Sequence, residues 1–273
     1  VIARGMGVDS ADVTVGTLGA ATEVKVSVAA QDEITASAQA TIVPTELDLL
    51  VDSDSYVPPF YRGRAHASAG TNLHLQAIPR FKRPGGSYVT DVNINFTWKK
   101  NGGIIGSASG RGKSSAVIPV QHLFGTDRIS VEARSTDGLL VNETSFASSP
   151  AQPLLALYQD HPLFGVMYHQ ALGATTFIPD SEMTFIAVPY FAQAQRAVDP
   201  ALTYGWRVNG KAIPQNETNK NALTINATNS SGVALLSLDL THATNYYLDA
   251  RGSWNITFSA DFSALDQFRN IDQ

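Results

Sequence analysis

The stretch Phe96-Thr97-Trp98-Lys99-Lys100-Asn101-Gly102 returns later in the chain as Tyr204-Gly205-Trp206-Arg207-Val208-Asn209-Gly210, with the two Trp residues 108 positions apart. Working outward, Ala77-Ile78-Pro79-Arg80-Phe81 matches Ala187-Val188-Pro189-Tyr190-Phe191 at an offset of 110. Pro58-Pro59-Phe60 sits opposite Pro162-Leu163-Phe164. Downstream, Ser115 to Pro119 matches Ala222 to Asn226, and Arg128 to Ala133 matches Ala234 to Leu240. Leu140 to Phe146 and Trp254 to Phe258 close the two units. Anchors kept in order at a near-constant offset mark an internal duplication.

The repeated segments are short, rich in Val, Ile, Thr, Phe and Tyr, and alternate with period two. Leu73, Leu75 and Ala77 fall on one face, with His74 and Gln76 on the other. Ile129, Val131 and Ala133 alternate with Ser130, Glu132 and Arg134. That is the pattern of a pleated sheet with one wet face. Turn clusters at Lys82 to Gly86, Asn101 to Gly103, Asp137-Gly138 and Asn229 to Gly232 separate the segments. Helix is expected nowhere at length. Val120 to Gly125 is read as at most one turn, and Pro162 and Gly165 argue against a helix over Tyr158 to Gly173. A lone Trp at the start of a central strand, in units of about 100 residues, marks an immunoglobulin-like β-sandwich. The fold class expected is all-β, tandem immunoglobulin-like sandwiches. Trp98, Trp206, Phe81, Phe191, Pro79 and Pro189 are its expected structural core positions.

The N-terminal stretch reads as the second half of a third copy. Gly5-Met6-Gly7 before Val13 to Val15 stands where Gly110-Arg111-Gly112 stands before Ala116 to Ile118. Glu23 to Val28 alternates, and Ile34 to Ile42 supplies a closing strand. The expected organisation is the C-terminal half of a truncated domain over 1–45, full domains over 46–150 and 151–260, and a C-terminal linker over 261–273. Either upstream sequence or another chain completes residues 1–45.

Composition narrows the function. The chain has 273 residues, of which 44% are apolar and 16% charged, below the customary share of about a quarter. A net charge of -5 and a pI of about 5.6 do not suit nucleic acid, which calls for a basic stripe. The cluster Arg80, Lys82 and Arg83 lies in a Pro/Gly-rich turn and reads as a solvated loop. Cysteine is lacking, so disulfides and thiolate metal sites are excluded. No apolar run is long enough to be a membrane-spanning helix.

Trp-x-x-Asn-Gly, then Gly-x-Gly before a strand, then a paired last hairpin, resembles the tandem Ig-like or PKD-like repeats of bacterial surface proteins. The pattern is similar to that of uncharacterised envelope proteins of small-genome, candidate-phylum bacteria. Those carry Gly-x-Gly-Lys between the Trp strand and the next, found here at Gly110-Arg111-Gly112-Lys113. The second repeat departs from it, with Asn216 to Asn221 in that place. The resemblance covers nearly the whole chain. It implies architecture and an extracellular or cell-surface location rather than an activity.

Catalytic motifs fail one by one. Gly106 to Ser114 resembles a phosphate loop, but Ser107 stands where the motif needs Gly, and a strand follows in place of a helix. It reads as a flexible surface loop. His66, His74, His122, His161, His169 and His242 show no metal-ligand spacing. There is no Gly-x-Ser-x-Gly elbow and no carboxylate pair in an apolar stretch. The expected catalytic and cofactor-binding residues are therefore none, and the expected cofactors none. Asp48, Asp52 and Asp54, near a domain junction, are weak calcium candidates. Six Asn-x-Ser/Thr sequons occur, of which Asn216, Asn226 and Asn229 are the exposed candidates for glycosylation.

The expected function is a non-catalytic structural or interaction protein of a cell surface or secreted assembly, an Ig-like stalk or assembly subunit. Its partners are other proteins or copies of itself, met through edge strands and loops. The alternative is an adhesin or carbohydrate-binding module with a surface glycan as partner. For that alternative Tyr56, Phe60, Tyr61, Tyr158, Phe164, Tyr168, Tyr246 and Tyr247 are the aromatics to place. An exposed coplanar set favours ligand binding, and buried positions favour the stalk.

Overall fold

The computed structural model describes residues 3–30, 35–178, 182–214, 218–228 and 230–258. The chain is all-β, with tandem β-sandwiches and, among the described residues, a single 3-10 turn at Asp91–Asn93. It divides into two compact units. One comprises residues 1–51, 74–117 and 126–148, and the other residues 52–73, 118–125 and 149–273.

An isolated hairpin comes first, β1 (Thr22–Ala29) paired antiparallel with β2 (Thr35–Ile42). Val24, Val26 and Val28 face Ala40, Ala38 and Ala36 across it, so the apolar residues form one row. That row remains exposed: Val26 and Val28 keep 55% and 61% of their surface.

The first sandwich has one sheet of β3 (Glu46–Ser53), β4 (Asn72–Arg80) and β8 (Ser115–Pro119). The other sheet has the order β10 (Val141–Ser148), β9 (Asp127–Ser135), β5 (Ile94–Lys100), β6 (Gly103–Ile104), with β7 (Gly110–Arg111) also on β5. A three-stranded sheet facing a sheet in which the Trp strand is flanked by the penultimate strand and a short hairpin arm is the immunoglobulin arrangement. The period-two pattern dictates which side chains enter the core. Ile94, Phe96 and Trp98 of β5 and Ile129, Val131 and Ala133 of β9 are all buried, and Trp98 lies opposite Val131.

The second sandwich repeats this with additions. Its first sheet runs β12 (Gly165–Ala171), β11 (Leu154–His161), β14 (Glu182–Tyr190), β17 (Ala222–Asn226). The second runs β13 (Thr175–Ile178), β19 (Asp249–Phe258), β18 (Gly232–His242), β15 (Leu202–Val208), β16 (Lys211–Ala212). Leu157, Phe185, Leu202, Tyr204, Trp206, Leu236, Leu238 and Ile256 fill the core between them. Burying each such side chain stabilises by about 1.5–3 kcal/mol.

Equivalent positions of the two sandwiches hold equivalent bonds. The Trp98 and Trp206 indole Nε1–H groups donate to the carbonyls of Lys113 (3.0 Å) and Lys220 (3.1 Å). Asn101-Gly102 and Asn209-Gly210 each close a two-residue hairpin with both residues at positive φ, the turn that matches strand twist. Each Asn then bridges to the neighbouring strand. The Asn101 N–H donates to the Arg128 carbonyl and its Oδ1 accepts from the Arg128 N–H, and Asn209 does the same with Leu235. These bonds set Arg128 opposite Leu235, a register that the Arg128 and Ala234 matching misses by one residue.

Three local readings change. Val120 to Gly125 contains bends and no helical turn. Gly110 to Lys113 is held rather than flexible. β7 pairs with β5, Arg111 donates to the Val92 carbonyl and Asn93 Oδ1, and Lys113 Nζ donates to the Ser107 carbonyl at 2.8 Å. The basic turn is neutralised by acids: Arg80 pairs with Glu46 and Asp48, and Arg83 with Asp137.

Asp137 links that turn to the Asp137-Gly138 hairpin. Hydrogen bonds from Ser135, Arg83 and the Leu139 N–H hold its carboxyl at a pKa of about 2, below the ordinary 3.8. A depressed carboxylate contributes stability that is present above the unfolded value and is lost as pH falls toward the folded one. Asp137→Asn is therefore expected to destabilise at neutral pH, with the difference from wild type closing between pH 3.8 and 2. Urea unfolding across that range checks it. Added salt shrinks the effect, because the Asp137–Arg83 pair is partly exposed.

Candidate functional site

The cleft, the aromatic cluster and the recess described below are all built from residues of the second unit. Residues 54–71 cross its surface and are pinned by backbone. The Tyr56 N–H donates to the Ala192 carbonyl (2.8 Å), and the Phe191 N–H donates to the Tyr56 carbonyl (2.7 Å). Phe191 adopts φ +60, rare for a bulky residue, as the chain turns out of β14. The Asp199 carboxyl fixes the loop that follows by accepting the Ala201 N–H (2.9 Å) and the Gln195 N–H (3.0 Å), and those bonds lower its pKa. Between 54–59 and 194–196 lies a cleft of about 570 Å³, with Asp54, Tyr56, Gln195 and Arg196 on its wall.

An aromatic cluster joins this segment to the sheet beneath. Tyr61 meets Tyr190 and Phe191 edge-on at 5.7 and 5.8 Å, and His66 meets Phe191 at 5.1 Å. Phe60 and Tyr158 each approach Tyr168 at 5.4 Å, with rings tilted by 47° and 56°. Tyr158 and Tyr190 share a hydroxyl–hydroxyl hydrogen bond of 2.6 Å. Tilted and edge-on rings are the geometry of packed aromatics. Of the eight aromatics singled out in the sequence, Tyr158 is buried and Tyr56, Tyr61 and Tyr168 are half-buried. Phe60, Phe164, Tyr246 and Tyr247 are exposed. Phe164 stacks on His161 at the β11–β12 turn.

Burial raises the pKa of Tyr190 far above 10.0, with the Tyr158 hydrogen bond adding to it, and burial likewise raises Tyr56, Tyr168 and Tyr204. A tyrosine whose folded pKa is raised keeps its proton after the unfolded chain has lost its own, so stability falls as pH climbs past the unfolded value of 10.0. Alkaline unfolding is expected to begin while these tyrosines are still neutral, and the tyrosinate absorbance is expected to rise together with loss of fold. Tyr190→Phe flattens that pH dependence.

A second hollow opens on the other side of the β11–β12 hairpin. β12 pairs with β11 in register at Asp160↔Val166 and again at Tyr158↔Ala171, so Met167 to Gln170 bulge out opposite Gln159 alone. Tyr168 reaches the aromatic cluster, while Met167 and Gln170 line the hollow. After Ala171 the chain leaves this sheet, and β13 joins the other, parallel to β19 from Thr175↔Asn255 to Ile178↔Phe258. The recess of about 340 Å³ lies along this crossing. Neither the hairpin nor the parallel strand is readable from the sequence pattern, because the first repeat has no counterpart of them.

The remaining candidates are dispersed. Trp98 and Phe81 are buried, and so are Trp206 and Pro189; Pro79 and Phe191 are half-buried. Asp48 pairs with Arg80, Asp52 accepts the Ser53 N–H, and Asp54 accepts two bonds from Asn72, so each carboxylate serves a different neighbour. No group of three or more metal-ligating side chains converges among the described residues. Asn226 is exposed at the end of β17, whereas Asn216, Asn229 and the segment 261–273 lie outside the described residues.

No family model matches the chain, and no curated protein matches it. Solved structures do. The chain is similar to the fibronectin(III)-like modules of Clostridium thermocellum CbhA, 14% identical over 77% of this chain and 94% of that one, with a TM-score of 0.26. It is similar to Sidekick-1 immunoglobulin domains 1–4, 12% identical over 90% and 73%, with a TM-score of 0.23. It is also similar to the Yersinia pseudotuberculosis adhesin InvE, 14% identical over 71% and 55%, with a TM-score of 0.21. The immunoglobulin-like assignment rests on the strand order and register above. No helix among the described residues is long and apolar enough to cross a membrane.

Proposed function

We propose that this chain is a non-catalytic structural and interaction protein, a run of Ig-like repeats serving as a spacer or assembly subunit at a cell surface or in a secreted assembly. In this reading residues 46–150 and 151–260 are two full repeats. The residues they share carry architecture: indole-to-carbonyl bonds, Asn-Gly turns and apolar core rows. The observation that carries the interaction role is the β1–β2 hairpin, on which Val26 and Val28 lie open to solvent beside the half-buried Val24. Two strands alone are marginal in water, and a strand or sheet laid against them stabilises both. The test is light scattering on a size-exclusion column over a range of concentration. The wild type is expected to self-associate, and Val26→Lys with Val28→Lys to return it to the monomer. A monomeric wild type at every concentration would remove self-assembly from this reading.

The second reading is an adhesin or carbohydrate-binding module. The recess beside β12 favours it, and the tilted aromatic cluster does not.

A further inference from the structure

The recess between the β12 bulge and β13 has the chemistry of a ligand site. Its floor is apolar: Met183 is buried and Met167 and Leu172 are half-buried. On its rim stand Gln170 and the ring of Phe177, which keeps 52% of its surface. The Gln159 and Gln170 amides each present two N–H donors and one acceptor oxygen, a set that matches groups which donate and accept at once, as vicinal hydroxyls do. None of its described lining residues is ionisable. A charged ligand would lose water there and gain no counter-charge, so the recess discriminates against ions. A volume of about 340 Å³ falls at the lower end of the roughly 300–1,000 Å³ of small-molecule sites.

The β-bulge is what builds this arrangement. With β12 in unbroken register, Met167 and Gln170 would lie on opposite faces of the sheet, because their numbers differ in parity. The extra residues let both line the same hollow while Tyr168 turns to the aromatic cluster. Bulges at sheet edges are a common means of re-aiming side chains at a site.

We propose that this recess binds a sugar unit of a neutral oligosaccharide. The Phe177 ring packs against the sugar's C–H face, and the Gln159 and Gln170 amides bond its hydroxyls. The proposal rests on the second reading above, and it can fail while the first stands.

The experiment screens the protein against an array of uncharged oligosaccharides of gluco, manno, galacto and xylo configuration, with hexagalacturonic acid as the charged control. Calorimetry then measures the best ligand. At least one neutral chain is expected to bind and the control to be rejected. Phe177→Ala and Gln170→Ala are expected each to weaken binding at least tenfold, and Tyr246→Ala, at an exposed loop outside the recess, to leave it unchanged. Both rim residues are exposed, so the variants should fold, and thermal melts followed by circular dichroism check that. A blank array at millimolar ligand overturns the proposal, as does equal binding of the charged control or binding indifferent to both rim variants. Binding of an uncharged acetylated hexapeptide in place of any sugar, with amide shifts along β12, assigns the edge to strand pairing and also overturns it. A blank array with self-association intact removes the sugar site and leaves the assembly reading standing.

Discussion

Trp206→Ala is expected to lower the stability of the second sandwich by about 3–5 kcal/mol, and Trp98→Ala that of the first by a similar amount. Both indoles are buried, each opposite an apolar residue of the next strand, Val131 for Trp98 and Leu238 for Trp206. Removing either leaves a cavity between two sheets that cannot collapse without breaking register. Each ring also satisfies a carbonyl, Lys113 or Lys220, through its Nε1–H. Trp→Phe separates the two contributions. It keeps most of the packing and deletes the donor, so a cost of about 1–3 kcal/mol is expected from the unpaired carbonyl together with the smaller ring. Urea unfolding followed by circular dichroism measures both. A lower midpoint at unchanged slope is the expected signature, because the surface exposed on unfolding is little altered. Trp98→Ala at a cost below about 1 kcal/mol would mean that the indole is not a core residue of its sandwich.

The parts of the fold that were legible are those where sequence period and backbone geometry coincide. The Trp strands, the Asn-Gly turns and the alternation of β9 follow from side chains that must reach one core from a pleated backbone. The β11–β12 hairpin was not legible, because Pro162 and Gly165 announce a break without saying whether the chain returns. The parallel pairing of β13 with β19 was equally hidden. Thr175 to Ile178 is four residues long, and its partner lies some eighty positions away. Of the aromatics singled out, Phe60, Tyr61, Tyr158 and Tyr168 meet in one cluster together with Tyr190, which was not, but sequence cannot tell a stacked platform from a packed cluster. That difference is in ring angles, and those depend on where residues 54–71 run. The recess was missed for a related reason. Gln159, Gln170 and Phe177 are ordinary residues of unremarked strands, and only a bulge in register makes them neighbours.

The second large effect is expected at Asn245, which ties together three loops of the second unit. Its side-chain amide donates to the Ala69 carbonyl and to Gln193 Oε1, both at 2.8 Å, and its Oδ1 accepts the Tyr247 N–H at 3.0 Å. Asn245 is buried, so Asn245→Leu leaves the Ala69 carbonyl and the Gln193 amide oxygen without that donor. The expected cost is about 1–3 kcal/mol for each group left unsatisfied in the interior. Gly70 stands against the same amide. It adopts φ +93, and a Cβ there would fall 2.2 Å from Asn245 Nδ2. The same Cβ would fall 2.6 Å from Gln193 Oε1, so Gly70→Ala combines a disfavoured backbone with two collisions, of which the nearer is with Asn245. In an Asn245→Ala background the nearer collision is absent, the Gln193 amide at the end of its flexible side chain is free to swing aside, and the backbone cost of about 1–2 kcal/mol remains. The two substitutions are thus expected to be less costly together than their separate costs added, with a coupling of about 0.5–3 kcal/mol measured by a double-mutant cycle in urea. Strict additivity would show that the amide does not lie against Gly70. Because Gln193 begins the loop that carries Gln195 and Arg196 to the cleft, Asn245→Leu is also expected to speed amide hydrogen exchange through residues 193–196, where the loop would open locally ahead of the sheets.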